Sequence, residues 1–320
     1  MPRQTCQFTQ LEAMLLLKRK SNHFGAIDGS AIRPDLLADM TLPQINAVVV
    51  PTENGDVSLG QIFEASMDDL PAEKFVILDG DCETIDGLGT EMQDGTMCVL
   101  GSLGNNVARS MRGGCIVVSG NARDHLGAGM TDGLIYVVGN CGHRLASPLA
   151  GKKSGMRGGD ILVAGNVGER ACERMRRGTV FVAGDAGDYC APQMIAGTLV
   201  VMGDLGSEWL GGMRRGTLIL GRNFSTQPSA SLSEARDFEL SFLPLIWRHV
   251  DRRQNEAFAI LNLAISFSQS ALQRVGRAAP GPIKIPQTRW VQRQIADLNF
   301  QGKGEVLVLR RVSSPDYRAN

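Results

Sequence analysis

A glycine recurs through the middle of this chain at a nearly fixed interval, and that interval decides most of what the sequence can fold into. It closes a short β-like run at Gly101, Gly120, Gly139, Gly165, Gly184, Gly203 and Gly221, in steps of 19, 19, 26, 19, 19 and 18 residues. A second glycine stands six residues earlier, or five in the last repeat, at Gly95, Gly114, Gly133, Gly159, Gly178, Gly197 and Gly216. Three residues before each of these sits a methionine: Met92, Met111, Met130, Met156, Met175, Met194 and Met213. The unit reads M-x-x-G-x-φ-x-V-x-G-N/D-x-G, as in MRGGDILVAGNVG from Met156 and MRRGTVFVAGDAG from Met175.

A strand of four or five residues is too short for an independent sheet, and the period leaves no room for a crossover helix between parallel strands. The expectation is therefore an all-β solenoid, a right-handed parallel β-helix in which equivalent residues stack at about 4.8 Å. Alternate residues such as Ile161 and Val163, or Val180 and Val182, are expected to point inward, leaving those between to face solvent or a partner. The methionines form a ladder that fills the core corners rather than a cofactor box. The glycines serve corners that need positive φ or close backbone approach. Asn121, Asn140, Asn166, Asp185 and Asp204, each directly after a closing glycine, suit turns.

The chain is expected to divide into an N-terminal cap (1–79), the glycine-rich repeats (80–223), a helical C-terminal cap (224–276) and a tail (277–320) able to dock elsewhere, with α/β segments capping both ends. The first part holds a strand near Met14–Arg19, a helix-like IRPDLLADM, a strand NAVVV and a degenerate first repeat ending at Gly80. Beyond Gly221 a helix is expected to start near Ser233 and Glu234, with Pro244 breaking or beginning one. The tail closes on a strand EVLVLRR, Glu305 to Arg311. The one long step carries the excursion HRLASPLAGKKSG from His143 to Gly155; it reads as a solvated basic loop or, since insertions in repeat proteins gather on one face, as part of a binding face.

Composition narrows the function classes. Thirty-three Lys and Arg balance thirty-three Asp and Glu, so no overall field recruits nucleic acid or an anionic membrane. The apolar run at Ala13–Leu17 is too short to span a bilayer. Seven cysteines, Cys6, Cys82, Cys98, Cys115, Cys141, Cys172 and Cys190, have no C-x-x-C and no regular pairing, which points to a reducing, cytoplasmic setting.

No constellation for catalysis stands out. The four histidines, His23, His125, His143 and His249, show no metal-binding spacing; Cys141 and His143 could touch one ion but lack further ligands. No glycine string has the phosphate-loop form, no G-x-S-x-G occurs, and turn formation is sufficient reason for Asp185, Asp188 and Asp204. The sequence thus assigns no catalytic residue and no metal ligand. One feature stands apart: Arg112, Arg157, Arg176 and Arg214 each follow a ladder methionine, with Arg177 and Arg215 beside two of them. In register they would make a basic stripe, either a solvated face or an edge that docks an acidic subunit or a polyanionic cofactor chain, since arginine pairs carboxylates bidentately.

The tandem M-R-G-G-x-I-x-V-x-G-N/D-x-G units resemble the C-terminal β-helix domain of glutamate synthase large subunits. With IRPDLLADMTLPQINAVVVPTENGDVSLGQIFEAS, GKKSGMRGGD and FLPLIWRHV, they are more similar to the glycine-rich scaffold chain of formylmethanofuran dehydrogenase and of the related bacterial formyltransferase/hydrolase complex, over residues 10 to 255. Glutamate synthase itself is set aside because the chain opens with Met1 and Pro2, where that family presents a nucleophilic cysteine, and because it lacks an iron–sulfur cysteine cluster. The resemblance implies a scaffold with no cofactor of its own. The metal and the methanofuran-type carrier would sit on partner chains, a metal-dependent hydrolase and a formyltransferase, in an assembly moving formyl groups between tetrahydromethanopterin, the carrier and formate. The corresponding scaffold chain of a molybdenum or tungsten dehydrogenase, or a stand-alone β-helix enzyme, remain the alternatives.

Overall fold

The computed structural model describes residues 12–22, 24–70, 74–268 and 282–310. In chain order the strands are β1 (Glu12–Arg19), β2 (Ile27–Asp28), β3 (Val49–Thr52), β4 (Gly55–Ser58), β5 (Phe63–Leu70), β6 (Phe75–Asp79), β7 (Ile85–Asp86), β8 (Thr96–Leu100), β9 (Cys115–Val118), β10 (Leu134–Val137), β11 (Arg157–Val163), β12 (Arg177–Val182), β13 (Thr198–Val201), β14 (Thr217–Leu220), β15 (Arg236–Glu239), β16 (Trp290–Ala296) and β17 (Gly304–Leu309). Helices α1 (Pro34–Leu37), α2 (Leu42–Ala47) and α3 (Leu59–Ile62) are short, whereas α4 (Leu243–Phe267) runs for 25 residues.

Thirteen strands make one sheet, ordered β15-β16-β17-β14-β13-β12-β11-β10-β9-β8-β6-β1-β5. From β6 to β14 the pairs are parallel and one repeat out of step, so that Thr198 lies beside Thr217 and Val180 beside Leu199. Antiparallel pairs close both edges, β5 on β1 and β15 on β16 on β17. A separate sheet has the order β4-β3-β2-β7.

This corrects the expected architecture: instead of an all-β solenoid built as a right-handed parallel β-helix, the chain forms one large mixed sheet with few helices. Each repeat has length for a single strand, and the rest of it is turn. Those turns meet through isolated parallel bridges, Leu103 to Ala122, Ala122 to Cys141, Cys141 to Val167 and onward to Leu205, and pass through left-handed backbone even at Ala146 and Cys172 (φ +57° and +59°). A single bridge per repeat is a contact, not a second sheet.

The strand residues expected to face solvent or a partner are buried too. One face of the strands, with Ile161, Val163, Val180 and Val182, packs with all seven ladder methionines against the turns. The other face, with Val117, Tyr136, Leu162, Phe181, Val200 and Ile219, is covered by Trp247, Val250, Ala257, Leu261 and Ala264 of α4. Strands buried on both faces read as continuous apolar runs, which is what CIVV, LIYV and TLVV are.

The two glycine series do different work. Those three residues after the methionines hold positive φ, as at Gly178 (+98°). The closing glycines meet the same glycine one repeat back; a Cβ at Gly120 would lie 2.7 Å from the Gly101 carbonyl carbon. Helix α4 begins at Leu243 with Pro244 in its first turn, where the missing N–H costs nothing. Ser233 instead supports β16, its Oγ accepting the Ile295 N–H at 2.9 Å. The end of the expected tail strand, Arg311, lies outside the described residues.

Candidate functional site

Most of the polar residues singled out by spacing prove to be holding the stack together. Asn121 Oδ1 accepts the Asn140 N–H at 2.8 Å, Asn140 accepts that of Asn166, Asn166 that of Asp185, and Asp185 that of Asp204. A second ladder, which spacing alone had not singled out, runs alongside: Asp86 accepts from Asn105, Asn105 from Asp124, Asp124 from His143, and His143 Nδ1 from the Glu169 N–H at 3.0 Å. Its signal is present in the chain, because those residues are also spaced by 19 and then 26. Hydrogen bonds from backbone donors to side chains at turns are the ordinary means of satisfying such corners.

His143 is therefore engaged at the surface while Cys141 lies in the core, 5% exposed, so the two do not converge on a metal. His23 and Cys6 lie outside the described residues. Among the described residues no group of three or more His, Cys, Asp or Glu side chains is placed to hold a metal ion, and no helix is long and apolar enough to cross a membrane. The six described cysteines are all buried and free. Burial pushes the thiols of Cys82, Cys115 and Cys190 up to about 12, and those of Cys98, Cys141 and Cys172 higher still. A thiol so held is a poor nucleophile and a poor ligand.

His249 belongs to a cluster that spacing could not show. Asp160 of β11, 6% exposed, accepts from Arg253 Nε at 2.7 Å and lies 2.9 Å from His249 Nε2. Both partners come from α4, one helical turn apart, so the carboxylate clamps the helix to the sheet. Tyr136, on the next strand, has a buried hydroxyl with no partner, and desolvation pushes it up to about 12.

The four stripe arginines are all exposed, but they do not form one continuous line, because Thr131 and Ile195 occupy the same register position in two repeats. Arg112 approaches Glu91 at 3.7 Å. Arg157 and Arg176 have no ion-pair partner among the described residues, and Arg157 lies directly beside Arg177 across the β11–β12 pair. Arg214 joins a different group. It opens onto a groove of about 1150 Å³ that also takes in Lys153, Arg174, Arg215 and Lys303, with Phe300 on its wall. Arg174 and Lys303 were not singled out by the sequence, being three repeats' worth of chain or more apart. Lys153 comes from the inserted excursion, which thus lies on this face.

Comparison with known proteins fits this arrangement. A family model described as the GXGXG motif matches residues 116–232, and no curated protein sequence matches the chain. Among solved structures, a chain of the formyltransferase/hydrolase complex (FhcABCD) from Methylorubrum extorquens in complex with methylofuran is 27% identical, with a TM-score of 0.73. The match covers 92% of this chain and 100% of that one. Over nearly its whole length, therefore, this chain resembles a chain of the formyltransferase/hydrolase complex and carries the GXGXG motif, as the repeats, the insertion and the post-repeat segment had indicated.

Proposed function

We propose that this chain is the glycine-rich scaffold chain of a formyltransferase/hydrolase complex, a cytoplasmic structural component without an active site of its own. In that reading the assembly converts formyl-tetrahydromethanopterin to formate through a methanofuran-type carrier during formaldehyde oxidation. The metal-dependent hydrolase, the formyltransferase, the carrier's formyl site and the metal all reside on partner chains. The observation that carries the reading is the end-to-end match to a chain of such a complex, at 27% identity and covering 100% of that chain. The engagement of the corner Asn, Asp and His residues in backbone ladders supports it, since residues occupied in holding turns are not available as acids or bases. Arg157, Arg176 and Arg177 form the docking edge for an acidic protein surface or polyanionic chain, because like charges set side by side without partners are destabilising unless an anion joins them.

The test is affinity purification of the tagged full chain from its host, followed by native mass spectrometry and metal analysis. Recovery with a hydrolase chain and a formyltransferase chain, free of molybdenum and tungsten, is the expected result. Recovery with a molybdenum- or tungsten-bearing partner would move the chain to the dehydrogenase, and a free monomer with its own turnover would overturn the scaffold reading.

A further inference from the structure

The groove holding Arg214 is unusual in this molecule. Elsewhere arginines tend to be paired: Arg123 with Glu83, Arg170 with Glu173, Arg253 with Asp160 and Glu256, Arg310 with Asp237. Around the groove, Lys153, Arg174, Arg214, Arg215 and Lys303 line one space and none of the five has a carboxylate partner among the described residues. Glu208 is held by the Ser229 hydroxyl and does not line it. A chain with no net charge has concentrated five uncompensated cations in one concavity.

The walls are built rather than incidental. Asp297, completely buried, accepts the N–H groups of Gly212, Ser231 and Asn299 at 3.1, 2.9 and 3.2 Å. That carboxylate ties the loop after β16 to the last repeat, and the Lys303 N–H donates to the Arg214 carbonyl at 2.7 Å. Phe300 and Lys303 are thereby fixed on one wall, facing Arg214 and Arg215. On the floor, Arg174 Nε donates to Gln193 Oε1 at 2.7 Å, which orients its guanidinium.

The form of the positive charge indicates the ligand. A compact phosphate site relies on free backbone N–H groups. Here the N–H groups of Gly212 and Gly302 are already given to Asp297, so the potential comes from five long side chains spread along the groove. Stacked bases need several aromatic platforms, and this groove has the one, Phe300, which is 67% exposed. Spaced cations beside one exposed aromatic ring suit spaced carboxylates on an extended backbone that also carries an apolar side chain. We propose that this groove seats an acidic, extended polypeptide segment of a partner protein, its carboxylates on Lys153, Arg174, Arg214, Arg215 and Lys303 and an apolar residue against Phe300. The identity of the occupant as a partner segment rests on the scaffold reading above.

Two measurements test it. In the isolated full chain, a short fluorescein-labelled peptide of two glutamates to each leucine should bind at low salt. The triple variant Lys153→Ser, Arg215→Ser, Lys303→Ser should weaken that binding by about tenfold or more, while Arg112→Ser, Arg123→Ser, Arg222→Ser, which removes as many charges elsewhere, should leave it nearly unchanged. The glutamine counterpart of the peptide should not compete. In the native assembly, carbodiimide coupling should join Lys153 or Lys303 to aspartates or glutamates of another chain. Equal weakening by both triple variants, equally strong binding of pyrophosphate or a single-stranded oligonucleotide at the groove, or no coupling at Lys153 and Lys303 within an intact complex would each overturn the proposal. If the chain co-purifies with no partner, the scaffold reading fails, and the peptide titration still decides whether the groove takes an acidic chain.

Discussion

Raising the pH from 7 to 10 should unfold this protein, and the reason lies in its cysteines. All six described thiols are buried, and burial raises every one of them from an ordinary value near 9 to about 12 or beyond. The folded state holds these protons more tightly than the unfolded state. The stability they contribute is complete below the unfolded value near 9, falls as the pH climbs past it, and stops falling only at the folded values. At pH 10 an unfolded thiol with that ordinary value is about nine-tenths ionised, so each site costs about 1.4 kcal/mol. Six sites together cost about 8 kcal/mol, comparable to the whole stability of an ordinary domain. The figure does not depend on how far above 12 any folded value lies, because at pH 10 the folded thiols are protonated in every case.

Urea unfolding followed by far-ultraviolet circular dichroism, in a phosphine reductant at pH 7, 8, 9 and 10, reads the effect directly. Stability should be nearly flat to pH 8, lose about 2 to 3 kcal/mol by pH 9 and fall steeply thereafter, with a slope near pH 10 of about 7 kcal/mol per pH unit. Cys141→Ala will be less stable at neutral pH, yet its loss between pH 7 and 10 should be smaller than the parent's by about 1.4 kcal/mol. A curve that loses less than about 2 kcal/mol between pH 8 and 10, or rapid reaction of the native thiols with Ellman's reagent at pH 8, would refute the reasoning.

Tyr136→Phe should stabilise the protein by about 1 to 2 kcal/mol, because it removes a buried hydroxyl that has no partner; a lower midpoint in urea would show that the hydroxyl is satisfied in solution. Asp160→Ala should cost about 3 to 5 kcal/mol by stranding Arg253 and His249 under the helix, and hydrogen exchange should speed up in α4 before it does in β11 to β14. Gly120→Ala should cost more than about 3 kcal/mol, since the new Cβ meets the Gly101 backbone rather than a movable side chain, whereas Gly151→Ala, with nothing within 4 Å, should cost about 1 kcal/mol for its positive φ; thermal unfolding of the pair checks the order.

The repeat was legible because stacking repeats a single local solution, so the methionine, glycine and Asn/Asp positions appear in the sequence at the interval at which they meet in space. The same periodicity misled on architecture. A nineteen-residue interval fixes how far one repeat lies from the next along the chain, but not how much of each repeat is strand. Turns running through left-handed backbone at ordinary residues such as Ala108, Arg144 and Cys172 carry no glycine to mark them. What covers the outer strand face was hidden for a different reason: α4 reaches it from more than eighty residues away from Asp160, with a clamp that no spacing rule anticipates. The groove shows both effects at once. Arg214 and Arg215 announce themselves through the repeat, but the partners that turn a stripe into a concavity, Lys153 from the one irregular step and Lys303 from beyond the helix, lie where the period breaks. In a chain built on repetition, the residues that the period leaves unexplained are the ones from which a specific surface can be made.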